Sequence, residues 1–136
     1  MQKFKFLEHT ADIKFQAFGK NVEEVFENSA LAFKEAVCGK MKIKEEKEKI
    51  IKVSGRDFES LMYLFLEKIL YLLEAENFLI SKIKEIEIKN FKLKAKIVGD
   101  SAKNYKFTDS VKAVTYNEMF IKKQKDKWIS QVVLDV

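Results

Sequence analysis

The chain has 136 residues and a formal charge of +5, a length suited to one domain with a real core. At 47% hydrophobic it is too apolar for a disordered chain, and no apolar run approaches the roughly 20 residues of a membrane span. A lone Cys38 excludes a disulfide framework and a Cys-rich zinc site, and the N-terminus lacks the apolar core of a secretory signal, so a reducing, cytoplasmic setting is expected.

The predicted elements follow in chain order. Phe4–Phe6 and Ile13–Phe18 read as extended, separated by the polar segment Glu8-His9-Thr10-Ala11-Asp12. Asn21 caps a helix, with Glu24 three residues on, and Val22, Val25, Phe26, Ala30, Phe33 and Val37 share one face until Cys38-Gly39 ends it. Lys44–Val53 reads as a charged strand turned by Ser54-Gly55. Asp57 caps a second helix, Phe58–Ala75, apolar over most of its circumference and expected at the centre of the core. Phe78–Ile80, Ile83–Lys89 and Phe91–Val98 have period two, and 99–107 reads as a polar loop. Val111, Ala113 and Thr115 resume the alternation, and Met119–Lys123 and Trp128–Leu134 flank a turn. The expected fold is one α+β domain over 1–136. Two main helices pack on one side of a largely antiparallel sheet of about seven strands, in strand–helix–strand units.

Charge points weakly to nucleic acid. Of the 26 basic residues only Arg56 is arginine, and acids are interleaved with the lysines, as in KIKEEKEKIIK. Base readers favour the planar arginine fork. A solvated, ion-paired lysine–glutamate face is therefore the first reading.

Few residues carry chemistry. Cys38, at the end of an apolar helical face, reads as structural. No P-loop, G-x-S-x-G or G-x-G-x-x-G is present. His9, the single histidine, reads first as a hydrogen-bonded structural group and second as a general base. Asp12 stands at the entry to an apolar strand, and Asp135 follows Val132-Val133-Leu134, one residue before the carboxylate of Val136. An acid ending a buried strand is costly unless partnered. Two aspartates and a terminal carboxylate would form a hard, oxygen-only site suited to Ca²⁺, Mg²⁺ or Mn²⁺ rather than zinc. Pattern alone favours the plainer reading, in which Asp135 frays into solvent, because proximity of residues 12 and 135 is not legible in a sequence. Lys112, after Asp109-Ser110, reads first as a surface lysine.

Three segments together carry a family resemblance. Glu8-His9-Thr10-Ala11-Asp12-Ile13 resembles the opening E-H-T-A-D-[IV] motif of the archease family. Val111-Lys112-Ala113-Val114-Thr115-Tyr116 resembles its V-K-A-x-T-Y motif, and Trp128 with Val132-Val133-Leu134-Asp135-Val136 resembles its terminal motif. The helical stretch Leu61–Glu76 is similar to the family's second helix. The resemblance implies a protein cofactor rather than an enzyme. Its implied role is to activate an RtcB-type RNA ligase in tRNA splicing, promoting ligase guanylylation and multiple turnover. It implies a divalent-cation site on Asp12, Asp135 and Val136, with Ca²⁺ first and Mg²⁺ or Mn²⁺ as alternatives. It also implies a part in ligase activation for Lys112 and His9. Contact with tRNA would be indirect, and no membrane is involved. Where many relatives have His after Thr-Tyr, this chain has Asn117, which can neither titrate nor ligate through nitrogen.

Two other readings compete. An RNA-binding module or chaperone in tRNA processing would use the lysines and exposed aromatics such as Phe4, Tyr105 or Trp128. A metal-dependent hydrolase would use Asp12, His9 and Glu8, but lacks a second histidine or nucleophile.

Overall fold

The computed structural model describes residues 2–107 and 111–136; Asp109 and Ser110, which precede Lys112 in the sequence, lie outside the described residues. Strands β1 (Phe4–Leu7) and β2 (Asp12–Gly19) form a hairpin, followed by helix α1 (Val22–Cys38), strand β3 (Lys47–Ser54) and helix α2 (Phe58–Glu76). The hairpin β4 (Phe78–Lys89) and β5 (Lys92–Ser101) comes next, then β6 (Ala113–Gln124) and β7 (Lys127–Asp135). The helices start where their caps predict. Asn21 accepts from the Glu24 N–H at 2.8 Å, and Asp57 forms a reciprocal capping box with Ser60.

The α+β class, the two helices and the seven antiparallel strands match expectation. The strands divide into two sheets, however, of order β1-β2-β7-β6 and β3-β5-β4. Each helix touches strands of both. The helices therefore join the two sheets instead of lying on one side of a single sheet. Phe26 of α1 meets Phe65 of α2 at 5.8 Å between ring centroids, and both are fully buried beside Phe33, Leu61, Met62 and Leu66. Burying such side chains contributes roughly 1.5–3 kcal/mol each.

Three boundaries differ from the sequence reading. Phe78–Ile80 and Ile83–Lys89 are one strand, because bulges at Ile80/Lys82 and Ile83/Glu85 absorb the break in alternation. Val111–Thr115 and Met119–Lys123 likewise belong to one irregular segment around β6, with the shift between Thr115 and Phe120. The expected loop at 99–107 begins as strand. Gly99 pairs with β4 so closely that a Cβ there would sit 2.1 Å from the Leu79 carbonyl oxygen. Asp100 beside it is buried. Bonds from the Tyr105 hydroxyl at 2.8 Å, the Ser101 N–H at 2.8 Å and the Asn104 amide hold its carboxyl below the usual range. The aromatics expected to be exposed are not: Phe4, Tyr105 and Trp128 all pack against the core. Among the described residues no helix is long and apolar enough to cross a membrane.

Candidate metal centre

The register of β2 on β7 decides what the sequence could not. Asp12 lies directly opposite Asp135, and the pairing continues without a slip to Gly19 opposite Trp128. Period-two geometry then sends the two aspartate side chains to the same face. Asp135 is not frayed. Ala113 of β6 pairs with it from the other side, and its carbonyl accepts the Lys112 N–H at 2.7 Å. Its neighbours Val132, Val133 and Leu134 are fully buried, so the strand end is anchored while the carboxylate reaches solvent. Asp12 is half-buried.

The connection from β1 to β2 brings His9 to the same place. Its Nε2 lies 2.9 Å from Glu118 Oε2. Its Nδ1 approaches Asp12 Oδ2 at 3.6 Å, beyond hydrogen-bond length, and among the described residues this buried nitrogen has no hydrogen-bond partner. Lys14, two residues along the same face from Asp12, donates to Glu118 Oε1 at 2.9 Å. Glu118 thus holds an ammonium and an imidazole at once. The Lys14 bond first, then the His9 bond, holds its carboxyl below the usual glutamate range. Gln131, itself bonded to Gln16 at 2.9 Å, donates to the Glu118 carbonyl at 2.8 Å. Two non-glycine residues here take left-handed backbone, Ala11 (φ 65°) before Asp12 and Glu118 (φ 54°) in the β6 irregularity. Each such placement costs on the order of 1 kcal/mol. His9, Asp12 and Lys14 also line an open groove of about 980 Å³ bounded by Glu35 and Lys40 of α1 and its C-terminal turn.

Asp12 and Asp135 are oxygen donors at one end of one strand pair, the donor type a hard divalent cation takes. The unpartnered His9 nitrogen beside Asp12 marks the spot as polar and incompletely satisfied. Among the described residues no group of three or more His, Cys, Asp or Glu side chains is placed to hold a metal, so water or a partner's oxygens would complete any coordination sphere.

The other singled-out residues separate. Lys112 comes to the site through its backbone only. It lines a different groove, together with Ala113 and with Glu67, Lys68, Tyr71 and Glu74 of α2. Glu8 is exposed and lines the His9 groove. Asn117 is exposed, and its N–H donates to Thr115 Oγ1 at 3.2 Å. Sequence reasoning missed Lys14 and Glu118. Lys14 carried a signal, standing two residues from Asp12 in a period-two strand. Glu118 carried none, since only the β6 irregularity brings it over residues 9 and 14.

Residues 4–136 match the model of the Archease protein family (MTH1598/TM1083). The archease of Methanosarcina mazei is 38% identical over 99% of this chain and 97% of its own, and that of Sulfurisphaera tokodaii is 37% identical over the whole of both. Among solved structures, protein 1598 of Methanobacterium thermoautotrophicum superposes with a TM-score of 0.84 at 33% identity, covering both chains completely. An archease of Thermotoga maritima, described as a possible chaperone, shares the fold at a TM-score of 0.67 and 21% identity over 97% of this chain and 96% of its own. With the match running from β1 through the Asp12–Asp135 pair to the last residue, the chain belongs to the archease family.

Proposed function

We propose that this protein is an accessory factor of an RtcB-type RNA ligase in tRNA splicing, promoting guanylylation of the ligase and its multiple turnover. In this reading it performs no turnover of its own. Asp12 and Asp135, with Val136 beside them, would hold a divalent cation, Ca²⁺, Mg²⁺ or Mn²⁺. Such an ion, when bound, neutralises phosphate charge during nucleotidyl transfer. The observation that carries the reading is the opposition of Asp12 and Asp135 across β2 and β7. The surrounding side chains prepare that end of the sheet. Glu118 fixes the His9 ring from Nε2, leaving Nδ1 turned toward the Asp12 carboxylate. Lys14 holds Glu118 in place and balances its charge. Asp135 presents its side chain from a backbone locked by β2 on one side and Lys112 on the other. Lys112, on the α2 side, is free to address the ligase through its ammonium.

The test is single-turnover guanylylation of the cognate ligase with labelled GTP, with and without this protein. Wild type should accelerate the step, and Asp12→Ala and Asp135→Ala should not. Equal stimulation by both variants would overturn the cation site, and no stimulation by wild type would overturn the function.

A further inference from the structure

Neither the cation site nor the ligase reading uses the solvent face of the β3–β5–β4 sheet. Residues opposed across these strands share a face. The two rows nearest the β4–β5 hairpin are Lys89–Lys92–Ser54 and Glu87–Lys94–Lys52. Farther along, the rows Glu85–Lys96–Ile50 and Lys82–Val98–Glu48 alternate in sign. There Lys82 reaches Glu45 at 3.6 Å, and the nearby Lys84 reaches Glu48 at 3.5 Å. Acid and lysine balance in those rows, whereas four lysines meet one acid, Glu87, in the two rows at the hairpin end. At the hairpin end Lys89 opposes Lys92 and Lys52 opposes Lys94. Like charges directly opposed in an antiparallel pair are destabilising, and of these four lysines only Lys94 also has an acid, Glu87, opposite it.

The four lysines line one groove of about 460 Å³ with Asn90 and the single acid Glu87. All four are exposed, and among the described residues none is in an ion pair. At the hairpin tip, between the groove residues Asn90 and Lys92, Phe91 keeps 37% of its surface exposed. It stands in left-handed backbone (φ 57°), with its ring edge-on to Phe58.

We propose that this end of the sheet binds single-stranded nucleic acid through its phosphates, without reading sequence. Same-face residues along a strand lie about 6.6 Å apart, so the lysines form a regular grid of point charges. Ammonium groups neutralise phosphates without the bidentate geometry that selects a base or a carboxylate. The cationic groove supplies the backbone-tracking part of a single-strand site, and Phe91, half-exposed at the tip of the same hairpin, is the nearest exposed ring in the chain. The inference rests on this face alone and does not depend on the ligase reading, whose guanylylation assay contains no RNA.

The experiment is fluorescence anisotropy with labelled dodecauridylate from low to moderate salt. Four neutralised phosphates predict a slope of log K against log salt of about −2 to −3 for wild type. The outward-facing variant K52Q/K89Q/K92Q/K94Q, with its fold checked by circular dichroism, should lose at least about tenfold in affinity and most of the slope. The double variant K52Q/K94Q should lose about half the slope. A charge-matched control, K42Q/K103Q/K123Q/K125Q, should bind within about twofold of wild type if the groove is specific. No binding by wild type at low salt would overturn the proposal, as would equal loss in the control. Tighter binding of polyglutamate than of the oligonucleotide would assign the groove to an acidic protein instead.

Discussion

Replacing Asp12 by Asn tests the site through stability rather than through the ligase. In the absence of a cation, Asp12 and Asp135 are like charges directly opposed in an antiparallel pair. Opposed Cα atoms lie about 5 Å apart, and two carboxylates at that range, screened as in bulk water because Asp135 is exposed, repel by about 0.8 kcal/mol. The His9 Nδ1 contact at 3.6 Å offsets little, being longer than a hydrogen bond and partly exposed. Asp12→Asn should therefore leave the metal-free protein as stable or more stable, by up to about 0.8 kcal/mol, a rise of roughly 2–4 °C in melting temperature. Ca²⁺ reverses the order. At a hundredfold excess over its dissociation constant it should stabilise wild type by about 2.7 kcal/mol. The variant, left with one aspartate, should gain far less. Thermal unfolding at pH 8, in chelator and in a Ca²⁺ titration, reads both arms. If the variant is less stable than wild type in chelator, or gains as much from Ca²⁺, the two aspartates do not share a cation.

Other outcomes follow from the same geometry. Glu118→Gln should weaken the hold on Lys14 and His9, and the stability difference from wild type should depend on pH. Because the folded carboxyl is held below its ordinary value of 4.5, the stabilisation is complete above that pH and disappears as pH falls through the lower folded value, so the two unfolding curves should converge in acid. Gly99→Ala should destabilise by about 2–4 kcal/mol, because the new methyl meets the Leu79 carbonyl; denaturant titration with an unchanged midpoint would refute that contact. Ser29 and Ser130, both fully buried, share a hydrogen bond of 2.7 Å. Ser130→Ala should cost about 1 kcal/mol, and the Ser29→Ala/Ser130→Ala double variant less than the sum of the singles. Lys112→Ala should leave the Ca²⁺-induced rise in melting temperature unchanged, since its side chain lies in the α2 groove, and should reduce stimulation of the ligase.

Local order was legible because it depends on neighbours in the chain. Asn21 and Asp57 announce their helices through capping chemistry that spans three residues, and both caps are present. Period-two runs such as 92–98 mark strands because one face is buried and the other wet. The motifs around residues 8–13, 111–116 and 128–136 were equally legible as strings of side chains, and the family followed from them.

Pairing between strands distant in the chain was not legible, because it depends on residues tens to more than a hundred positions apart. The turns join β4 to β5 and β6 to β7, but nothing in the composition assigns β5 to β3 or β7 to β2. Each strand could satisfy its backbone groups with several partners, and the helices' packing on both sheets selects among them. That selection sets Asp12 against Asp135 and carries Glu118 over His9 and Lys14. It also brings Lys52 beside Lys94, next to Lys89 and Lys92 of the same hairpin. The sequence by itself therefore determined the elements, their faces and the kinship. Tertiary structure alone decided which charges meet, since that depends on register, and a one-residue slip would send every side chain to the opposite face.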